Sequence, residues 1–387
     1  MQNSFANLKL PLFSLVILSV SSLLGLPDQV LGQNTKQQID REIEEWRQIL
    51  MDARETNMRF FESDRQESVD LREKYNDLID RGNQKMQILI PLAIKYLDET
   101  PNKPDPAIVE FATRIQNKHF FDGDYEKSYA LGNRLLTIDT DNRVAKLING
   151  RTAVLTNRFA EAEQFALENA ELIEKFPNTE QHLYIDAPKL RKKYKRELAI
   201  REKEKDVELP QVELRTTKGT IVLELFENQA PDTVGNFINL VESGFYSETF
   251  FHRVINQFMA QGGGFTETNN GKKINKHPGY AIYDEFHPTE NREHFRGVIS
   301  MANTGDPHTG NSQFFITTVP TPFLNDKHTV FGRVISGMDV VDALNVTFTS
   351  GTDDEPSTEI PGAVQDKILS TRVIRKQDHE YKPKKVK

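Results

Sequence analysis

FFHRVINQFMAQGGGF, residues 250–265, decides how this chain is read, because it sets a single arginine, Arg253, among apolar side chains and ends in three consecutive glycines. A plain half-buried strand alternates apolar and polar residues. This stretch instead has the composition of a pocket wall that turns sharply at its end. The glycines at 262–264 fit a bulge or strand exit better than a phosphate cradle, since no G-x-G-x-x-G here follows a strand into a helix. Two further blocks follow, SMANTGDPHTGNSQFFI at 300–316 and FLNDKHTVFG at 323–332.

The sequence around these blocks is rich in strand signals. Val212 and Leu214, then Ile221, Leu223 and Leu225, alternate on either side of Lys218-Gly219 as an antiparallel hairpin requires. Ala230-Pro231-Asp232 opens a short helix whose apolar face is Phe237, Leu240 and Val241. Gly332 to Leu344 offers a second short helix, through Met338, Val341 and Leu344. About 165 residues of this kind suit one closed barrel, so we assign 211–376 to a mainly-β closed barrel capped by two helices.

In order along the chain, His252-Arg253, Phe258-Met259, Gln261-Gly262-Gly263, Met301-Ala302-Asn303, Gln313-Phe314-Phe315 and Lys327-His328 resemble the cyclophilin family of peptidyl-prolyl isomerases. The resemblance spans about residues 212–375. Alone, each of these residues has a plainer reading, an arginine as half of a surface ion pair, a Phe or Met as core; their joint occurrence sets that reading aside. The resemblance implies Arg253 as the catalytic group and Phe258, Met259, Phe315 and Leu324 as the lining of a proline pocket. It implies Gln261, Asn303 and Gln313 as binders of the substrate backbone, with Ala302, Phe323, His252 and His328 completing the wall. It also implies proline-containing polypeptides as partners, and no metal or cofactor. Asn256-Gln257 stands where many relatives carry Pro-Gly, a change confined to a turn. Phe323 replaces a tryptophan found in the members most sensitive to cyclosporin, so weak drug binding is expected. Residues 269–287 diverge and leave substrate preference open.

Such a residue set answers a definite chemical demand. Rotation about a peptide bond meets a barrier of about 18–20 kcal/mol from amide resonance. A cation near the prolyl nitrogen stabilises its lone pair as conjugation breaks, and arginine stays charged in a partly apolar site where lysine would not. An apolar slot holds the ring while polar groups hold the flanking backbone. No nucleophile is required.

Upstream, residues 37–205 are rich in Glu, Lys, Arg, Gln and Leu, poor in Gly, and spaced for helices, with stripes such as Ile39, Ile43, Trp46, Ile49 and Leu71, Tyr75, Leu78. Pro101, Pro104 and Pro106 divide a helical hairpin region, 33–100, from a second helical group, 105–205. Sliding the chain by 34 residues aligns Gly123-Asp124-Tyr125 with Asn157-Arg158-Phe159, and Ser128 and Gly132 with Ala162 and Ala166. This resembles a pair of tetratricopeptide repeats, although Asn149 sits where that family prefers Leu. It admits two readings, a concave peptide-binding surface for a protein partner or an ordinary helical bundle. The charged run KLRKKYKRELAIREKEKD, 189–206, reads as a solvated spacer helix. The terminal KPKKVK, in a basic tail at 377–387, reads as a solvated, frayed end without a role.

At the amino terminus Lys9, an apolar run at 10–26 and a polar segment ending Val30-Leu31-Gly32 have the layout of an export signal, with cleavage expected after Gly32 and an uncleaved membrane anchor as the alternative. The chain is then exported, periplasmic or secreted. It has no cysteine, which excludes disulfides, thiol catalysis and a cleavage-site lipid anchor. A formal charge of −8 argues against nucleic acid as a partner. His277, His287, His294, His308 and His328 show no metal-ligand spacing and read as loop or turn residues, His328 excepted by the resemblance. The function expected is isomerisation of X-Pro bonds in exported proteins, assisting their folding. The alternative is a proline-peptide-binding or scaffold module whose helices are primary.

Overall fold

The computed structural model describes residues 33–63, 65–176, 178–268, 270–286, 291–351 and 356–386. Residues 1–32, expected from the sequence to be an export signal, lie outside them, as do Asn269 and His287 at the ends of the divergent segment. Within them the chain divides into two compact units, one the described part of Met1–His119 with Lys127–Asn149, the other Phe120–Glu126 with Gly150–Lys387.

The first unit is helical. Helices α1 (Gln33–Glu62) and α2 (Arg65–Glu99) face each other along the stripes read from the sequence, Trp46 and Ile49 closing over Gly82. Ile39, Ile43 and Trp46 share a core with Leu89, Ala93 and Leu97 of α2 and with Ile108, Ala112 and Ile115 of α3 (Pro106–Phe121). Helices α4 (Tyr125–Ile138) and α5 (Arg143–Leu155) continue the chain, and α6 (Phe159–Glu168) follows as part of the second unit. The α3–α4 and α5–α6 turns carry left-handed residues at aligned positions, Gly123 (φ 86°) and Asn157 (φ 64°). Asn149 is buried for a reason the sequence does not display. Gln116 Nε2 donates to its Oδ1 at 2.9 Å, its own Nδ2 donates to Asn133 Oδ1 at 2.7 Å, and a Cβ at Gly132 would collide with both carboxamides.

Besides α6, the second unit contains α7 (Ala170–Ile173), α8 (Asn178–Ile185), α9 (Ala187–Glu204) and a closed antiparallel barrel. Its strands are β1 (Gln211–Thr216), β2 (Gly219–Leu225), β3 (Thr249–Ile255), β4 (Met259–Gly262), β7 (Val298–Met301), β8 (Phe314–Thr317), β9 (Val330–Ser336) and β10 (Lys367–Arg375), ordered β1-β10-β3-β4-β8-β7-β9-β2. A two-stranded sheet, β5 (Phe265–Glu267) with β6 (Lys273–Asn275), lies outside that circuit. Inward residues Leu214, Leu223, Ile299, Phe314, Ile316 and Phe331 form one core with Phe237, Leu240 and Val241 of α10 (Pro231–Glu242).

Three expectations are corrected. The second helix, α11 (Met338–Asp342), begins only after left-handed Gly337 (φ 83°), and most of 332–337 is strand β9, paired to β2 and β7. The spacer helix α9 is not solvated all round: Leu190, Glu197 and Glu204 are buried, and the charged face of the run meets a buried arginine, Arg292. The basic tail is not frayed either. Tyr381 enters the barrel core, Val386 N–H donates to Ala281 O at 2.9 Å, and Lys385 Nζ lies 3.9 Å from the centre of the Tyr280 ring. An apolar anchor before the lysines, which charge counting does not register, holds the tail down.

Candidate active site

The site grows out of a break in strand alternation. In β3, Phe251 pairs with Gly262 of β4 while Arg253 pairs with Gln261, so two steps on one strand meet one on the other. That bulge falls at His252 and turns Arg253 away from the face that Phe251 occupies in the barrel core. Gln261 in turn pairs with Phe315 of β8, and Phe315 with Ser300 of β7. Arg253, Gln261 and Phe315 thus stand abreast across three strands, on the outer face of the barrel.

Beside this row is an apolar patch of buried Ile255, Met259 and Phe315, packed by half-buried Phe258, Ala302, Leu324 and Phe348. The guanidinium of Arg253 is 6.0 Å from the Phe258 ring centre and 5.8 Å from that of Phe348. It makes no hydrogen bond or ion pair with any described residue. Partial burial pushes its pKa below the usual arginine value, and it remains a cation at neutral pH. Gln261 Nε2 donates to Gln313 Oε1 at 3.0 Å. A Cβ at Gly264 would occupy the Gln313 side chain's place, and Gly263 adopts φ 80°, so the glycine run clears room for Gln313 and turns the chain out of β4.

The far wall is the segment 321–328. Phe323 is 59% exposed and tilts over Phe258 with ring centres 5.6 Å apart, which marks it as a rim residue. His328 Nδ1 lies 3.1 Å from Met301 O, and its ring stands edge-on to Phe315 at 5.2 Å; burial lowers its pKa. Asn303 is half-buried, its Nδ2 donating to Lys327 O at 2.8 Å and its Oδ1 accepting from Gly305 N–H at 3.1 Å.

Of the residues singled out in the sequence, Arg253, Phe258, Met259, Gln261, Ala302, Gln313, Phe315, Phe323, Leu324 and His328 come together here. His252 does not join the apolar patch. As the bulge residue it is buried against Phe265, ring centres 4.6 Å apart, and desolvation, with Lys273 adding, lowers its pKa to about 4. Ile255 and Phe348 belong to the patch without having been read from the sequence. Strand alternation could have found Ile255. Phe348 has no local signal: it reaches the site because Thr347 and Phe348 N–H both donate to Val254 O, at 3.0 and 3.1 Å.

Behind Phe315 lies His294, which is in a loop as expected but has a fully enclosed side chain. Its ring stacks on Phe315 at 5.8 Å and 12°, and burial lowers its pKa to about 4, keeping the imidazole neutral.

Residues 211–367 match the family model described as cyclophilin type peptidyl-prolyl cis-trans isomerase/CLD. A peptidyl-prolyl cis-trans isomerase-like 1 of Neurospora crassa is 45% identical over 174 residues, covering 44% of this chain and 97% of the relative. The mouse protein of the same name is 43% identical over 149 residues, 37% of this chain and 84% of the relative. A solved cyclophilin type isomerase of Cryptosporidium parvum is 28% identical, covers 44% of this chain and 99% of that one, and superposes with a TM-score of 0.33. With near-complete coverage of relatives at this identity, and with the barrel coinciding with the matched residues, the chain belongs to the cyclophilin type peptidyl-prolyl cis-trans isomerases and is an enzyme of that activity.

Proposed function

We propose that the enzyme acts on X-Pro bonds of exported polypeptides and assists their folding, with Arg253 as the catalytic cation. The observation that carries this reading is the state of Arg253: a half-buried guanidinium, held over two aromatic rings, without a partner among the described residues, at the edge of an apolar patch. A cation so placed is available to a prolyl nitrogen. Met259, Phe315, Phe258, Ala302 and Leu324 seat the proline ring; Gln261, Gln313 and Asn303 bind the flanking backbone; His328 and Phe323 close the rim. As the amide twists, conjugation is lost and the nitrogen lone pair localises. Arg253 then interacts more strongly with the twisted state than with either planar isomer, which is what lowers the barrier. An uncatalysed step of tens to hundreds of seconds is thereby shortened.

Export is supported by the layout of residues 1–32, and the helical region then serves to recruit clients. On the first unit, Pro104, Pro106, Val109, Ile138 and Val144 line an open groove of about 500 Å3 flanked by Glu110 and Asp139, suited to an extended segment with apolar and basic side chains.

The test is cis-to-trans exchange of a short X-Pro peptide by the full chain and its Arg253→Ala variant, with the mass of the protein recovered from the producing cell's exterior or periplasm. Arg-dependent exchange and a mature chain starting at Gln33 are expected. A folded parent that binds the peptide without exchanging it, or a chain retained inside the cell with its first 32 residues, sinks the corresponding half of the reading.

A further inference from the structure

The wall carrying Phe315 and Leu324 is tied to α9 by a chain of polar contacts. Lys193 of α9 pairs with Glu293, Nζ lying 2.7 Å from Oε1 and 2.8 Å from Oε2. Glu293 Oε2 accepts from Asn325 Nδ2 at 2.5 Å. Asn325 Oδ1 then faces His294, accepting from its backbone N–H at 2.9 Å and lying 2.9 Å from its ring Nδ1. On the other side of the ring, Nε2 lies 3.0 Å from Ser300 Oγ, which is also 2.9 Å from the Thr329 carbonyl.

A neutral imidazole has one N–H, and which nitrogen carries it is set by the partners. A carboxylate is acceptor-only, so Glu293 holds the amide of Asn325 with its nitrogen toward itself and its oxygen toward His294. An oxygen at that distance requires the proton on Nδ1. Nε2 must then accept, and the single Ser300 hydroxyl proton is shared between Nε2 and Thr329 O. The opposite tautomer would satisfy the Ser300–Thr329 side better, with Nε2 donating to Ser300 and Ser300 to the carbonyl. It would also set two lone pairs against each other at Asn325, beside Leu324. The ring thus has two arrangements of comparable merit, and the Lys193–Glu293 pair selects one. Aromatic packing of Phe159 and Tyr194 on Phe295 keeps α9 in place for this.

We propose that Lys193, Glu293 and Asn325 are positioning residues for prolyl isomerisation, through which α9 holds His294 in its Nδ1–H form and so fixes Phe315 and Leu324 in the proline pocket. The inference rests on the proposed assignment of that pocket. Helix α9 is then part of the substrate-binding apparatus.

The experiment uses the full chain and its Lys193→Met, Glu293→Leu and Lys193→Arg variants. Nitrogen-15 NMR of the imidazoles, with His294 assigned by its loss in His294→Phe, reads the tautomer; peptide-exchange kinetics read KM and kcat separately. Expected are an Nδ1–H His294 in the parent and a shift toward Nε2–H in Lys193→Met and Glu293→Leu. KM should rise about fivefold, the worth of roughly one hydrogen bond, with a smaller change in kcat and recovery of both readouts in Lys193→Arg. An Nε2–H parent, or variants that leave tautomer and KM unmoved, overturns the proposal while the isomerase reading stands. A parent that shows the Nδ1–H form but exchanges no peptide overturns the pocket assignment, and the proposed role in the reaction falls with it.

Discussion

Arg253, Met259 and Gln261 come from a single hairpin, 250–265, whereas Phe315, Leu324 and His328 are backed by His294, Asn325 and Glu293 and, beyond them, by Lys193 of a helix far upstream. The first wall is a local object. A bulge at His252 and a glycine exit place its groups, and both devices lie inside the stretch that bears the chemistry. The second wall has the right residues in sequence but borrows its rigidity from elsewhere. A pocket can therefore be half self-sufficient and half dependent on a neighbouring element, and the two halves should fail differently.

The sharpest way to separate them is Arg292→Ala. Arg292 is buried, ion-paired to Glu197 at 2.8 Å and to Glu204, bonded through Nε to Gln229 at 2.8 Å, and lies 3.9 Å over Phe226. Burial raises the Glu197 pKa, and Arg292 and Arg201 together bring it below the usual carboxylate range. Removing one partner of a buried pair leaves the other charges stranded, at about 3–5 kcal/mol. Urea unfolding of the full chain should show that loss, with α9 and the second wall loosened. A change under about 1 kcal/mol would mean that α9 is not held this way.

Arg253→Ala attacks the first wall alone. We expect kcat/KM to fall about 10²- to 10³-fold, the cost of one preorganised electrostatic group. The unfolding midpoint should stay where it was, since Arg253 has no bonded partner among the described residues. A large fall in the midpoint by circular dichroism would make Arg253 structural.

Acidification probes both walls together, through His252 in the first and His294 behind the second. Both have folded pKa values of about 4 against an ordinary 6.5. The unfolded chain therefore binds the proton first. Their stabilisation is complete above about pH 6.5 and drains away as pH falls toward 4, at up to about 1.4 kcal/mol per pH unit for each histidine. Denaturant midpoints at pH 7.5, 6 and 5 should decline, and His294→Phe should lessen the slope. A flat profile across that window would contradict the burial of both rings.

Phe323→Ala should have the smallest effect, under about 0.5 kcal/mol in stability, as befits an exposed side chain. Its KM for an X-Pro peptide should rise modestly. A loss of several kcal/mol would place Phe323 within the wall instead of on its rim.

Legibility followed the same division. The barrel and the turn of the first wall were readable because period-two alternation and glycine are local signals, while the roles of Arg253, Met259 and Gln261 came from the family resemblance. The apolar spacing of Met338, Val341 and Leu344 extends a helix back to Gly332 in sequence, and only pairing with β2 and β7 decides that the residues before Gly337 are strand. Helix α9 looked solvated because Glu197 and Glu204 meet their arginine almost a hundred residues downstream. His294 had no motif at all. Its importance comes from what stacks on it, which spacing cannot report.

The barrel closes between its first and last strands, Val212 against Val373, and the tail then seats Tyr381 in the core and bonds Val386 to Ala281. During synthesis the helices of the first unit can collapse on contacts made within their own stretch of chain. The barrel cannot: its seam waits for β10, and its core for residue 381. The isomerase pocket is therefore among the last parts of the molecule to become competent, and a ribosome stalled anywhere before the tail carries helices but no working enzyme.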